Sequence, residues 1–259
     1  MPSPELLEAF FSGVTLAPDA AVLDVGCQSA AALKWIREKY SLTGKLIGID
    51  KRSKNFEDAE TLRALGISLL EMNASEPLNF PGETFDLIFH CNTLECITDI
   101  AAHVRELHRV LKKGGTIVCV HRDWESIVFN GTNKALINKA VYGYANFLQA
   151  GWMDACDGWI GRRLWGHFNK TGLFSGAVSV HNSIETDFAE QTDGWRYIHD
   201  MNYFVCDSSS VSQPQAALEQ KGFLTQAEYE ELLADMKDTC DRGEYIYVSP
   251  YYVYTGEKL

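Results

Sequence analysis

Over its first 120 residues the chain alternates two hydrophobic periods: short apolar runs that fit buried strands, and longer stretches with apolar residues three and four apart that fit helices. Ala21–Val25 is a strand closed by Gly26, and Ala30–Lys39, with Leu33, Ile36 and the following Tyr40 near helical spacing, is the helix after it. Lys45–Asp50 is a second strand ending on a carboxylate, Asn55–Leu65 a helix closed by Gly66, and Ile67–Met72 a third strand. Thr84–His90 is the fourth, and Ile100–Leu111, with Val104, Leu107 and Leu111 on one stripe, is the helix that follows. Lys112-Lys113-Gly114-Gly115 ends that helix with cations at its negative pole and glycine beyond, and Gly115–Val120 is strand five. Strand and helix in this alternation predict the α/β class, with a doubly wound parallel sheet that takes ligands beyond the C-terminal ends of its strands.

The second half reads differently. Ile137–Leu148, Trp159–Thr171 and Gln226–Cys240 have helical spacing, and Gly176–Glu185 is a strand candidate through Val178, Val180 and Ile184. Tyr245–Val248 and Tyr251–Tyr254 are β material that Ser249-Pro250 is expected to interrupt. Nine Phe, Tyr or Trp occur in residues 1–128 and twenty-one in residues 129–259, so an aromatic-rich part is added to the sheet domain. The stretch Ala189–Gly222 is expected to be irregular and, with the inserted helices, to form a lid.

Composition narrows the possible partners. With 23 Lys and Arg against 35 Asp and Glu the formal charge is −12, and the short groups Lys51-Arg52-Ser53-Lys54 and Arg162-Arg163 make no basic track; no nucleic-acid partner is expected. No run approaches the ~20 apolar residues that span a bilayer. The start Met1-Pro2-Ser3-Pro4-Glu5 has neither the charge nor the apolar run of a secretion signal. A cytoplasmic protein without a membrane partner is the expectation. Cys27, Cys91, Cys96, Cys119, Cys156, Cys206 and Cys240 include no CxxC pair, which fits free thiols and disfavours a metal site.

The first loop, Asp24-Val25-Gly26-Cys27-Gln28-Ser29-Ala30, lies where a nucleoside ligand would meet a helix N-terminus. Asp50, 24 residues past Gly26 at the end of the second strand, is placed to accept from ribose hydroxyls, with Lys51 beside it. Further along come Glu71-Met72-Asn73-Ala74, Leu78-Asn79-Phe80-Pro81-Gly82-Glu83-Thr84-Phe85-Asp86, His90-Cys91-Asn92-Thr93-Leu94-Glu95-Cys96 and Leu107-His108-Arg109-Val110-Leu111-Lys112-Lys113-Gly114-Gly115. As an ordered set over about residues 10–125, these segments resemble the motifs of class I S-adenosylmethionine-dependent methyltransferases of the small-molecule type.

The resemblance implies a Rossmann-like fold whose last strand runs antiparallel, and S-adenosylmethionine as cofactor. It implies that Asp24, Gly26, Cys27 and Gln28 line the methionine and ribose side, and that Asp50 and Lys51 flank the ribose. Asn73 and Ala74 approach the adenine, and backbone at His90 meets the amino group. The corresponding organisation is a cofactor-binding core at 1–128, lid helices at 129–175, and C-terminal strands at 176–259 with a lid loop at about 189–222. The sequence departs from the pattern in three places: Gln28 and Ala30 stand where glycine is usual, Asn73 replaces an acid, and the N-terminal helix is short, at about residues 4–12.

Methyl transfer from a sulfonium needs alignment above all, and a base only where the acceptor must lose a proton. His121, just past strand five, is the candidate base, with Asp123 to orient it; His167 is a second histidine on an inserted helix. Tyr142, Tyr144, Trp152, Trp159, Trp165 and Trp195 are expected to form a flat apolar pocket for a ring-bearing acceptor. The reading is methyl transfer to oxygen or nitrogen of a small molecule. Its alternatives are a cyclase on the same fold and a binding protein with a degenerate cofactor site.

Overall fold

A computed structural model describes residues 2–52, 59–147, 157–202 and 224–259. They fall into two compact units: Met1–His121 with Ile160–His181 and Tyr252–Leu259, and Arg122–Trp159 with Asn182–Tyr251.

The first unit holds α1 (Pro4–Phe10), β1 (Val22–Val25), α2 (Ala31–Tyr40), β2 (Leu46–Asp50), α3 (Ala59–Ala64), β3 (Ile67–Glu71), β4 (Phe85–Cys91) and α4 (Ile100–Val110). It also holds nearly all of β5 (Leu111–Arg122). Every residue of β1 and β2 is buried, as expected of parallel strands covered on both faces. Ser3 caps α1 by accepting from Leu6 N–H at 3.3 Å, and Asp99 caps α4 by accepting from Ala102 N–H at 2.8 Å. The strands run in the order β3-β2-β1-β4-β5, each neighbouring pair parallel, so strand order reverses between β1 and β4. Leu23, Val25, Ile88, Val104, Leu107, Ile117 and Cys119 meet in one apolar core. On the other face Phe11 packs on Phe89, with centroids 5.1 Å apart, and on Trp35 at 5.5 Å.

The second unit holds β6 (Val128–Phe129) and α5 (Lys134–Phe147), whereas α6 (Ile160–Asn169) and most of β7 (Phe174–Glu185) belong to the first. α7 (Asp193–Asn202) and α8 (Gln226–Asp241) return to the second unit, and β8 (Tyr247–Lys258) has residues in both. Phe129, Tyr144, Tyr197, Met201, Leu232, Met236 and Tyr247 form the second unit's core. Thr225 and Glu228 make a reciprocal cap at the start of α8. Arg122 bonds Asp193 and the Tyr251 hydroxyl, with its cation 4.7 Å from the Tyr251 ring centre.

The sheet continues from β5 to β8, and β6 pairs antiparallel with β8 while β7 also pairs with it. The expected doubly wound, mostly parallel sheet with antiparallel late strands is borne out. Three local expectations are corrected. α4 stops at Val110 and Lys112–Gly115 lies inside β5, not in a helix end; a register shift against Phe85–Leu87 and a positive φ of 71° at Gly114 absorb the irregularity. β8 is one strand of 12 residues running through Ser249-Pro250. Tyr247, Tyr251, Val253 and Tyr254 are all buried on either side of it, and that burial outweighs the ladder bond of ~1 kcal/mol that proline cannot make. Within Ala189–Gly222, residues Asp193–Asn202 are helical, because Glu185 accepts from the Asp193 and Gly194 N–H groups at 2.8 Å each and caps the turn from a distance. Residues 203–222 of that stretch lie outside the described residues. Among the described residues no helix is long and apolar enough to cross a membrane.

Candidate functional site

The loop between β1 and α2 is built on unusual backbone. Gly26, Gln28 and Ala30 have φ of 76°, 46° and 58°, so the left-handed conformation that favours glycine is kept at three alternate positions although only one is glycine. Gly26 is required twice over, since a Cβ there would also fall on the Thr93 side chain. Gly26 N–H and Cys27 N–H both donate to Ile49 O, at 2.8 and 3.0 Å, which folds the loop over β2. Cys27 lies against Gly48, where a Cβ would come within 2.6 Å of its Sγ. Burial, then the charges of Asp24 and Asp50, push the Cys27 thiol up, so it packs as a neutral group. Gln28 is exposed, and Ala30 opens α2 without a side-chain cap.

Two carboxylates flank this loop. Asp50 accepts from Gln28 N–H at 3.1 Å and from Arg52 N–H at 3.0 Å, one on each oxygen, which orients it at the end of β2 beside the exposed Lys51. Asp24 is 3% exposed, and burial, reinforced by the charge of Asp50, raises it to about 8. The structure thus brings Asp24, Gly26, Cys27, Gln28 and Asp50 together.

The loop after β3 is tied to the same place. Met72 N–H donates to Asp50 O at 2.9 Å, and the Asn73 side chain accepts from Ser75 N–H at 3.0 Å and donates to Glu76 at 3.2 Å. Ala74 O accepts from His103 Nδ1 at 2.8 Å, and His103 Nε2 lies 3.2 Å from Nε2 of His90, which pairs with Val25 of β1. Ala74 and His90 are therefore linked through a residue that the sequence reading had not singled out. Its signal was present: His103 stands next to Val104 and one turn before Leu107, inside a buried helical stripe.

His121 is fully buried at the end of β5, on the same face as Cys119 by strand alternation. Its carboxylate neighbour in this unit is Glu95, with Nε2 and Oε2 3.9 Å apart, in the turn Leu94–Cys96 that follows β4. The strand ends at Arg122, Asp123 opens the turn Trp124–Ser126, and its Oδ1 accepts from the Ser126 hydroxyl at 2.8 Å.

His167 lies on α6 in the first unit. Of the aromatics expected around an acceptor, Tyr144 is buried against Tyr197 with centroids 4.2 Å apart, and Trp195 stacks on His199 at 3.7 Å. Tyr142 on α5, Trp159 and Trp165 are exposed; for Trp165 the reason is that the buried side of α6 is made by Ile160, Leu164 and Phe168. Trp152 lies outside the described residues.

Residues 23–119 match the family described as Methyltransferase domain. A demethylmenaquinone methyltransferase of Alkalihalophilus pseudofirmus is 33% identical over 115 residues, which are 42% of this chain and 48% of that protein. The chain spans about half or less of the length of the curated relatives it matches. Among solved structures, the YcgJ protein from Bacillus subtilis superposes with a TM-score of 0.60 at 16% identity, over 99% of both chains. The cyclase SpnF superposes with a TM-score of 0.54 at 15% identity, over 98% of this chain and 81% of its own. At such identities the likeness is one of fold. The resemblance to class I S-adenosylmethionine-dependent methyltransferases is borne out, and fold and matched domain together define the class: a Rossmann-like methyltransferase fold.

Proposed function

We propose that this chain transfers a methyl group from S-adenosylmethionine to a small, largely apolar or aromatic acceptor, at an oxygen or nitrogen that gives up a proton. The observation that carries the reading is the loop at residues 26–30, which keeps the left-handed backbone of a glycine-rich nucleoside turn through Gln28 and Ala30, with the Gln28 side chain exposed. The residues fit the cofactor. Asp24 and the Gly26–Gln28 backbone would line its amino-acid and ribose side, with Cys27 as a packed wall. Asp50, oriented by the Gln28 and Arg52 N–H groups and with Lys51 beside it, would accept from ribose hydroxyls. Asn73 and Ala74 would face the adenine, and the backbone of His90 the ammonium. The bound cofactor supplies an activated methyl on a cationic sulfur, so alignment provides much of the rate.

His121 takes the acceptor's proton in this reading, and Glu95 stabilises the imidazolium that results. The test has two stages. Calorimetric titration with S-adenosylmethionine and S-adenosylhomocysteine is expected to show binding, and silence with both would return the chain to the non-catalytic reading. Labelled methyl is then followed into a panel of phenols and amines; cofactor binding with label in no product would favour a cyclase-like use of the site. His121→Ala is expected to lower turnover by about 100-fold or more while leaving S-adenosylhomocysteine affinity unchanged. Full turnover in that variant across pH would put the base elsewhere.

A further inference from the structure

The hydrogen positions on His90 and His103 follow from their partners. A carbonyl oxygen only accepts, so His103 Nδ1, 2.8 Å from Ala74 O, carries a hydrogen. Burial lowers His103 to about 4, so at neutral pH its Nε2 holds a lone pair and no hydrogen. His90 Nε2, 3.2 Å away, must therefore be the donor. His90 is neutral as well, held well down by burial and then by His103 and His121. Its remaining Nδ1 is a buried acceptor with no hydrogen-bond partner. The two rings form a chain with one direction, from His90 on β4 through His103 on α4 to the backbone of the loop after β3. It is not a metal site, since among the described residues no three His, Cys, Asp or Glu side chains converge as a metal requires.

The same helix holds the rest of that segment. Glu106 Oε1 accepts from Leu78 N–H at 2.7 Å, and Arg109 donates to Leu78 O at 2.9 Å and to Phe80 O at 2.8 Å. Positions 103, 106 and 109 follow one another at three-residue spacing along one side of α4. Glu106 and Arg109 act at the partly exposed end and bind the backbone of residues 78–80 to the helix. At residue 74 the side-chain hydrogen bond comes from His103, which adds to the packing of Ala74 on the core, and the other nitrogen of His103 meets His90.

We propose that His103 and His90 are positioning residues of the nucleoside site: the imidazole pair suspends the Asn73–Ser75 turn from β4, so the backbone beside the adenine is placed by the strand whose end meets the other half of the cofactor. This rests on the cofactor reading above. Neither ring touches reacting atoms, and the effect is on nucleoside affinity.

The test compares His103→Asn, His103→Leu and the double variant His90→Phe/His103→Leu. An asparagine amide can sit where Nδ1 sits and donate to Ala74 O, whereas leucine cannot. In the double variant both polar partners are gone, so no buried donor is stranded and the fold is expected to persist. Affinities for S-adenosylhomocysteine and for adenosine are measured by calorimetry, and melting temperature by circular dichroism. The expected result is an about tenfold loss for both nucleosides in His103→Leu and in the double variant, with His103→Asn close to wild type. Equal binding by His103→Leu and His103→Asn overturns the proposal, as does a double variant that melts and binds like wild type. Wild-type protein that binds neither nucleoside overturns the cofactor reading itself, and that failure is seen before any variant is made.

Discussion

Replacing Gln28 by glycine is expected to stabilise the protein, and the size of the gain follows from three quantities. An L-residue held in the left-handed region costs ~1–2 kcal/mol, and Gln28 has a φ of 46°. Glycine removes that strain but adds ~0.5–1 kcal/mol of backbone entropy to the unfolded chain. The Gln28 side chain is exposed, so its removal loses little burial, and the N–H that donates to Asp50 is unaffected. The net gain is ~0.5–1 kcal/mol, or a rise in melting temperature of ~1–4 °C for a chain of this size. Ala30 supplies the internal comparison. Its φ of 58° relieves similarly, but its methyl group is fully buried, and losing ~0.8 kcal/mol of burial brings Ala30→Gly back to near zero. Thermal melts of the two variants without ligand, followed by S-adenosylhomocysteine titration of Gln28→Gly, make the check. A melting temperature lowered by Gln28→Gly, or a larger gain from Ala30→Gly, would show that the side chain at 28 has a structural task and refute the reasoning. Affinity for the nucleoside should not fall in Gln28→Gly.

Other outcomes are expected from the same geometry. Gly26→Ala combines left-handed strain with overlap on Thr93 and should destabilise by ~2–4 kcal/mol in urea unfolding, with Thr93→Ala recovering only the overlap. Asp50→Ala should weaken S-adenosylhomocysteine binding by ~1.5–3 kcal/mol in calorimetry, the scale for hydrogen bonds to a charged group; unchanged affinity would remove Asp50 from the site. Asp24 binds its proton more tightly folded than unfolded, so its contribution to stability is complete below about pH 4 and is lost as pH rises through about 8. Asp50 and the neutral Cys27 thiol are the titratable groups beside it. A cationic ligand favours the ionised carboxylate, so S-adenosylmethionine affinity should climb between about pH 6.5 and 8.5 with release of a proton, and Asp24→Asn should flatten the profile; a flat wild-type profile would contradict the placement of Asp24.

Much of the fold was legible because hydrophobic period reports burial directly. Ala21–Val25, Lys45–Asp50 and Thr84–His90 read as strands, and the structure places Val22–Val25, Leu46–Asp50 and Phe85–Cys91 side by side with parallel register. A continuous apolar run has no other stable use between two helical layers. The carboxylates at 24 and 50 were equally readable, since a charged residue closing a buried strand lies at the ligand edge of such a sheet.

What period could not report was decided by distance in space. Ser249-Pro250 looked like a break because a proline is judged locally, whereas the buried tyrosines around it settle the strand through contacts made elsewhere in the fold. Glu95 could not be read from period at all: it stands 26 residues before His121 in the chain, yet its Oε2 lies 3.9 Å from His121 Nε2. His103 was hidden in a helical stripe as one more buried position until Ala74 and His90 were set on either side of it. The sequence by itself determined which segments are strands, and it singled out the loop proposed to meet a nucleoside and the acids beside it, because these depend on neighbours within one turn or one strand. The partners of the histidines, and the left-handed backbone at Gln28 and Ala30, were decided only by tertiary structure, because a side chain's hydrogen bonds and a residue's strain depend on groups that folding brings within 4 Å and sequence keeps far apart.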